Sequence, residues 1–548
     1  MDFNFKTTFA RDIFYQKYAQ GGSDSWPLLA ARLVDDVCGT RNGTCHPLLS
    51  VGDRAQLTQY IIEMKFVPGG RYLYYAGRPL HFFNNCFAFN SKEDTREAWS
   101  EFIHSAMSAL MSGGGIGNCY SVFRPEGSPL GRTGGLASGP IPLALTANEV
   151  GRNVMQGGSR RSAIYGSLHW WHKDIDKWIE LKDYPDWIKE LKAKDFNYPA
   201  PMDMTNMSVN WDTKGLTNAK KEGTEAHRLW YKSVEHMLRT AEPGFSINHG
   251  KQEAEVARNA CAEFISEDDG DICNLGSVNF GALESISELK DVTALGAKFL
   301  ICGSIRGDVP LERIRLIREK NRSIGLGIMG VHEWLLRRQE RYEMTSELRK
   351  WMQAWRFHTR KGADEQCDRF FINRPKRYNA IAPAGSIGIL AGTTTGIEPL
   401  FAPAYKRRYL RDGSKWVYQN VIEPTAKRLI SDYGIDDPDS IDCAYSLSYD
   451  YERRIKFQAD MQDFVDMGIS STCNMPAWGT PANNETTVQS FGEVLLKYAP
   501  RLRGFTAYSD GCRGGQPMTV IPYSEAIKDT ETVYEENEES CKGGVCGV

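Results

Sequence analysis

Three side chains able to do chemistry alternate with alanine in Arg258-Asn259-Ala260-Cys261-Ala262-Glu263. Side chains of an extended segment alternate between two faces. Read that way, the amide of Asn259, the thiol of Cys261 and the carboxyl of Glu263 share one face. The amide can give and accept hydrogen bonds and so orient a hydroxyl. The carboxylate can take a proton. Its charge also disfavours the thiolate, which keeps Cys261 as S–H. A protonated thiol is a poor nucleophile, but it is the form that hydrogen-atom transfer needs. A buried cysteine beside a surface glutamate would give the same pattern, so other stretches have to decide.

Cys86 lies in Asn84-Asn85-Cys86-Phe87-Ala88-Phe89, which reads as a strand with Cys86 and Ala88 on one face. Taken alone it is a core cysteine. Cys273 lies in a second such stretch, Ile272-Cys273-Asn274-Leu275-Gly276-Ser277-Val278-Asn279. Two regions are dense in small residues. In Gly113-Gly114-Gly115-Ile116-Gly117, backbone N–H groups could approach a phosphate or nucleotide closely. It is neither a P-loop nor a Rossmann fingerprint. In Ala382–Ile387 and Gly392–Pro399, small and hydroxyl residues at a helix start offer N–H groups and a positive dipole end to an anion. A tight turn packing a helix on a sheet fits that pattern equally. Cys541 and Cys546 are flanked by glycines in an acidic terminal stretch that has lost its apolar period. Such a pair reads as a mobile dithiol, and a tail of about 25 residues at about 3.3 Å each reaches across a protein of this size.

The elements that must position these groups are legible in outline. Apolar residues at three- and four-residue spacing predict helices from Asp12 to Tyr18 and from Trp26 to Val37. Further helices are expected over 142–154, 229–240, 346–367 and 455–470, with a long one over 309–338 broken at Gly325-Leu326-Gly327. Strands are expected near 163–168, 207–210, 245–247 and 504–508. Residues 182–205 read as a mobile surface loop, and Glu267-Asp268-Asp269-Gly270-Asp271 as an exposed turn. The 548 residues, 25% of them charged and with a net charge of −3, describe a globular chain with nothing that suggests binding to nucleic acid or acidic membranes. No apolar run is long enough to span a bilayer. No secretory signal is expected at Met1–Lys6, so the expected location is the cytoplasm, or the host cytoplasm for a phage-encoded chain. The 13 cysteines then belong in a reducing compartment. Cys38, Cys45 and His46 do not have a standard zinc spacing, and no metal site is expected.

In their joint order these stretches, from about residue 60 onward, resemble the catalytic subunit of ribonucleotide reductase. The segments that carry the resemblance are Asn84-Asn85-Cys86, Gly113–Gly117, Gln156-Gly157-Gly158-Ser159-Arg160-Arg161, Asn259–Glu263, Ile272–Ser277, Gly325-Leu326-Gly327, Pro383–Ile387 with Gly396-Ile397-Glu398-Pro399, and the terminal cysteine pair. The resemblance implies a ten-stranded α/β barrel with the catalytic cysteine on an internal loop. The expected division is a helical region over 1–80, the barrel over 81–522 and a flexible redox-active tail over 523–548.

Roles are implied residue by residue. Cys261 would carry the thiyl radical that takes the 3′-hydrogen of a ribonucleotide, with Glu263 as base toward the 3′-hydroxyl and Asn259 orienting the sugar. Cys86 and Cys273 would be the dithiol that reduces the 2′-position. Cys541 and Cys546 would re-reduce that disulfide and be recharged by a thioredoxin- or glutaredoxin-like protein. The Ala384, Gly385, Ser386 and Ile387 segment would hold the substrate phosphates, and Asn85 and Gly114 would touch substrate. Deoxynucleotide or ATP effectors would be sensed around residues 182–215, with Asp94 a further candidate.

The radical source stays open. Forms served by a separate metal-containing radical-generating subunit carry two adjacent tyrosines late in the chain. Here Tyr508, the candidate for radical transfer, is followed by Ser509. Thr506-Ala507-Tyr508-Ser509-Asp510-Gly511 looks more like the adenosylcobalamin-dependent forms, although the length is nearer compact phage-type reductases. Di- or triphosphate substrate, and monomer or homodimer, are equally open. A glycyl-radical enzyme on the same barrel would need a loop pattern that Gly514-Gly515 lacks. A non-catalytic nucleotide-binding subunit would not need the intact Asn-Cys-Glu row.

Overall fold

The structure is a computed structural model that describes residues 3–40, 46–84, 86–131, 133–154, 162–195, 198–411, 415–435, 437–512, 518–528 and 533–535. Helices Thr8–Lys17, Trp26–Cys38 and Val51–Ile62 open the chain, each started by a hydroxyl (Thr7, Ser25, Ser50) that accepts a first-turn N–H. Their apolar faces join one core with Phe66, Phe280, Trp334 and Trp355, so they pack on the second half of the barrel.

Five strands form the first half: β1 (Cys86–Phe89), β2 (Gly115–Cys119), β3 (Ile164–His169), β4 (Thr205–Asp212) and β5 (Gly244–Asn248). They run parallel in sequence order. Parallel neighbours need crossovers, and helices Arg96–Met111, Ile141–Asn153, Ile175–Glu180 and Glu225–Thr240 supply them. A core of Phe102, Trp178, Trp211, Trp230 and Phe245 covers the outside of this half.

The second half starts with β6 (Asp271–Asn279), antiparallel to β1, and β7 (Ile324–Met329), parallel to β6. β7 then accepts the main chain near 377–381: Ile324 N donates to Arg377 O at 3.0 Å and Leu326 N to Tyr378 O at 3.2 Å. Ile381 bridges to Ile469, Cys473–Met475 pairs with Ala507–Ser509, and Gly504–Phe505 closes antiparallel on β5. The circuit returns to its start through two sets of five staves, each set parallel within itself. A barrel leaves no open edge.

Several expected elements differ. The 309–338 stretch is helix Glu312–Asn321, then β7, then helix Val331–Leu336. Gly325 and Gly327 are strand glycines: a Cβ at 325 would lie 2.4 Å from Leu275, and one at 327 would lie 2.6 Å from Ala380 O. The apolar period cannot tell a buried strand from a helix turn. The helix expected over 455–470 is Tyr451–Gln462, and the chain beyond it supplies barrel wall. The 182–205 loop holds helix Asp186–Lys194. The acidic turn is not all exposed: Asp271 is buried, accepting from Ser266 Oγ and Asn321 Nδ2. Val533–Glu535, within the expected tail, pairs with Lys415–Ile422 in a four-stranded sheet completed by Ala404–Arg411 and Met518–Val520. Among the described residues no helix is long and apolar enough to cross a membrane.

Candidate active site

A hairpin finger enters the barrel between its halves. Ala257–Arg258 pairs antiparallel with Ile265–Ser266, and residues 259–264 make the tip. Ala257, Phe264 and Ile265 of the finger pack with Ala88, Cys273, Leu275, Ala380 and Met467 from the inner walls. Room for it comes from β2. A Cβ on Gly117 would lie 2.1 Å from Arg258 O, and one on Gly115 would lie 2.8 Å from the Ala260 Cβ. These glycines make room for the finger's own chain. Four ties then fix the finger. Arg258, wholly buried, donates to Ser246 Oγ at 2.5 Å and Asn248 Oδ1 at 2.9 Å. Asn206 Nδ2 donates to Ala260 O at 3.2 Å, and Gly468 N to Glu263 O at 2.8 Å.

The tip corrects the alternation argument. Residues 259–263 are a turn, not a strand: Ala262 N donates to Asn259 O at 3.0 Å, and Ala262 is left-handed at φ +62°. Asn259 and Glu263 flank the turn and are buried, while Cys261 at its apex is half-buried. Asn259 Oδ1 accepts from Phe264 N at 3.0 Å, which leaves its Nδ2 to face elsewhere. That Nδ2 and Glu263 Oε2 are buried polar atoms with no protein partner. Such orphans are costly unless a ligand or water completes them. Burial pushes the Glu263 carboxyl up to about 7, while its own N–H and the nearby Asn259 amide pull it back. It can therefore both take and give a proton near neutrality.

Cys86 and Cys273 are direct cross-strand partners between β1 and β6. Opposed residues in an antiparallel pair have Cα atoms about 4.5–5.5 Å apart, inside the roughly 4.4–6.8 Å that a disulfide spans. Burial holds the Cys273 thiol well above its usual range, and the charges of Glu263 and Cys86 push it further. The same interaction shows that the finger's carboxyl and the cross-strand thiols share one electrostatic environment. Gly325 helps here too: a Cβ there would stand 3.4 Å from Cys273 Sγ.

Other candidates fall around this centre. Gly114 precedes β2, with no space for a Cβ beside the Phe87 ring. Ala384, left-handed at φ +51°, starts helix Gly385–Ala391, and Ser386 Oγ accepts from Tyr18 OH at 3.1 Å. A Cβ on Gly385 would meet nothing within 4 Å, so that turn faces open space. Asp94 accepts from Arg124 through N at 3.2 Å and Nε at 2.5 Å. Arg124 was not singled out in the sequence, where it stands among glycine-rich loops with no pattern of its own. Tyr508 lines a cavity of about 1230 Å³ together with Thr393, Asn474, Asp510, Gln419 and Glu423. No sequence signal announced this cavity, because its wall is assembled from distant segments. Asn85, Cys541 and Cys546 lie outside the described residues.

The family model "Ribonucleotide reductase, barrel domain" matches residues 84–209, 203–356 and 374–508. A vitamin B12-dependent ribonucleoside-diphosphate reductase of Thermoplasma acidophilum is 24% identical over 513 residues, covering 84% of this chain and 65% of the relative. A putative adenosylcobalamin-dependent ribonucleoside-triphosphate reductase of Mycobacterium phage D29 is 23% identical, covering 83% of this chain and 75% of the relative. The chain thus spans about two thirds to three quarters of the length of these curated relatives. Among solved structures, the Actinobacillus ureae class Id ribonucleotide reductase alpha subunit superposes with a TM-score of 0.72 at 17% identity, over 93% of this chain and 98% of that one. At that identity the likeness is one of fold.

Proposed function

The chain belongs to the ribonucleotide reductase family, and on that premise we propose that it reduces ribonucleotides to 2′-deoxyribonucleotides by thiyl-radical chemistry on the finger. The observation that carries the reading is the cross-strand Cys86–Cys273 pair in the field of the buried Glu263, two residues from Cys261.

In this reading Cys261 sulfur takes the 3′-hydrogen atom of the ribose. Glu263 accepts the 3′-hydroxyl proton, which a carboxyl held near 7 by burial can do and reverse. Asn259 Nδ2, unpartnered in the protein, holds a sugar hydroxyl. The 2′-hydroxyl leaves as water. Cys86 and Cys273 supply two electrons and two protons and become a disulfide, and Cys261 returns the hydrogen to C3′. The balance is ribonucleotide plus two thiols to deoxyribonucleotide, disulfide and water. Gly385–Ile387 would take the phosphates, with Asn85 and Gly114 beside the sugar. Cys541 and Cys546 would restore the dithiol from a thioredoxin- or glutaredoxin-like donor. Asp94 with its partner Arg124, and the 182–215 region, would sense deoxynucleotide effectors.

Adenosylcobalamin is the favoured radical source, because one relative is named as adenosylcobalamin-dependent and another as vitamin B12-dependent. When bound, it supplies the oxidising equivalent as a carbon-centred radical. The cavity beside Tyr508 fits such a group. At about 1230 Å³ it exceeds the roughly 300–1,000 Å³ of ordinary small-molecule sites. Its wall includes the hydroxyls of Thr393, Thr394 and Thr395 and the carboxamides of Gln419, Asn420 and Asn474, which suit a large ligand edged with amides. The alternative, a separate metal-containing subunit, would use Tyr508 for radical transfer. Against it, the next residue is Ser509, buried and hydrogen-bonded to Asn483 and to Leu238 O. Turnover by the purified chain with adenosylcobalamin, a dithiol and a ribonucleotide tests the reading. Deoxynucleotide formation with no added protein supports it, and activity only with a second subunit would move the radical source to the alternative.

A further inference from the structure

We propose that Asn206 accepts a hydrogen bond from the 2′-hydroxyl of the ribose and so sets the preference of the site for a ribonucleotide over its deoxynucleotide product. The inference rests on the reduction proposed for the finger. It adds the residue that tells substrate from product.

Asn206 stands on β4 in register with Tyr165 of β3, which is in register with Gly117 of β2. Neighbours in register put their side chains on the same face of a sheet. That face is the inside of the barrel, because a Cβ on Gly117 would meet the Arg258 carbonyl of the finger. The Asn206 side chain points the same way: its Nδ2 donates to Ala260 O at 3.2 Å, one residue from Cys261. Further along β4 the inward positions are closed. Ser208 and Asn210 are buried, and Asn210 Nδ2 donates to Ser167 Oγ at 3.0 Å. Asn206 is the one exposed residue of the strand. An inward side chain that stays exposed faces the open space around the finger tip, where Cys261 is also partly exposed.

Ala260 O is an acceptor, so the amide nitrogen must face it, and the carboxamide oxygen is turned away from the finger main chain. No group among the described residues donates to that oxygen. A sugar placed over Cys261 offers two hydroxyls. Glu263 takes the proton of the 3′-hydroxyl, which leaves the 2′-hydroxyl for Asn206. Accepting its hydrogen suits the step that follows. The 2′-oxygen must take a proton to leave as water, and a hydroxyl that donates to Oδ1 keeps its lone pairs for that proton. The deoxynucleotide product has no 2′-hydroxyl, so the bond is gone once the water has left, and product is held less tightly than substrate.

The test is equilibrium binding to the full chain with no radical source, so that nothing turns over. Cytidine diphosphate and cytidine triphosphate are each compared with their 2′-deoxy and 3′-deoxy counterparts. Wild type should favour the ribonucleotide over the 2′-deoxy form by about threefold to tenfold, the effect of one hydrogen bond. Asn206→Leu is close in size and has no polar atom on the side chain. It should abolish that preference and leave the preference over the 3′-deoxy form as in wild type. Asn206→Asp keeps an acceptor and loses the donor to Ala260 O. It should retain the 2′ preference, which separates the substrate contact from the tie to the finger. No 2′ preference in wild type, or an unchanged one in Asn206→Leu, overturns the assignment while leaving reduction on the finger intact. A preference lost in both variants also overturns it, since the finger tie is then the cause. Absence of binding by every cytidine nucleotide overturns the reading of the site as well.

Discussion

Two stretches of small residues, Gly113–Gly117 and Ala384–Ile387, look alike in sequence and do opposite things in the fold. At the first, missing Cβ atoms are replaced by the protein itself. The Arg258 carbonyl stands 2.1 Å from where a Gly117 Cβ would be. At the second the space stays open, and a Cβ on Gly385 would meet nothing within 4 Å. A glycine says that something comes close to the backbone, but not what. The filled gap places the finger that carries Cys261, and the open one leaves room at the start of helix Gly385–Ala391.

The comparison sharpens into expectations of graded size. Glu263→Gln acts at the tip that the filled gap positions. Losing the proton acceptor should lower turnover by about 10²–10⁴. Wild-type rate should rise with pH toward the Glu263 value of about 7 and level off above it, and the variant should lose that limb. Stability moves the other way. With the folded value raised to about 7 from 4.5, the wild type loses stability as pH rises between those values, and the loss is flat above. Melting curves at pH 4 and pH 8 should show the variant gaining on wild type only at the higher pH.

Gly117→Ala comes next. Its methyl must displace backbone, so a cost of about 1–3 kcal/mol is expected, and a finger moved by about 1 Å can lose about 10²-fold in rate. Gly115→Ala meets the Ala260 methyl at 2.8 Å and the Ala163 carbonyl oxygen at 3.3 Å, a milder clash than the 2.1 Å at 117, so both effects should be smaller. Smallest is Gly385→Ala, where helix propensity alone predicts a stability gain of about 0.5–1 kcal/mol. Its signature should be a raised KM for nucleotide with turnover little changed. Equal loss of stability at 117 and 385 would erase the distinction.

Much of this was legible in the sequence, and the failures have physical causes. The order of cysteines and glycine-rich segments pointed to the barrel that the family model matches. The finger was misread because Asn-Ala-Cys-Ala-Glu fits a strand, and only the left-handed Ala262 and the hairpin pairing reveal the turn. β7 was misread because two of its residues are glycines placed for close packing, which breaks the strand pattern. Asp271 was read as exposed from its acidic neighbours, yet Ser266 and Asn321 satisfy it inside the protein. The Asp94–Arg124 pair and the wide cavity join segments far apart in the chain, and no local pattern encodes them.

The central claim is that the finger's thiol works on a substrate reduced by the cross-strand pair. A single turnover with adenosylcobalamin and ribonucleotide, without external reductant, followed by rapid alkylation and peptide mapping, reads it directly. The account requires a Cys86–Cys273 disulfide in proportion to deoxynucleotide formed, and neither product in Cys261→Ser. Deoxynucleotide made while Cys86 and Cys273 remain thiols would contradict it.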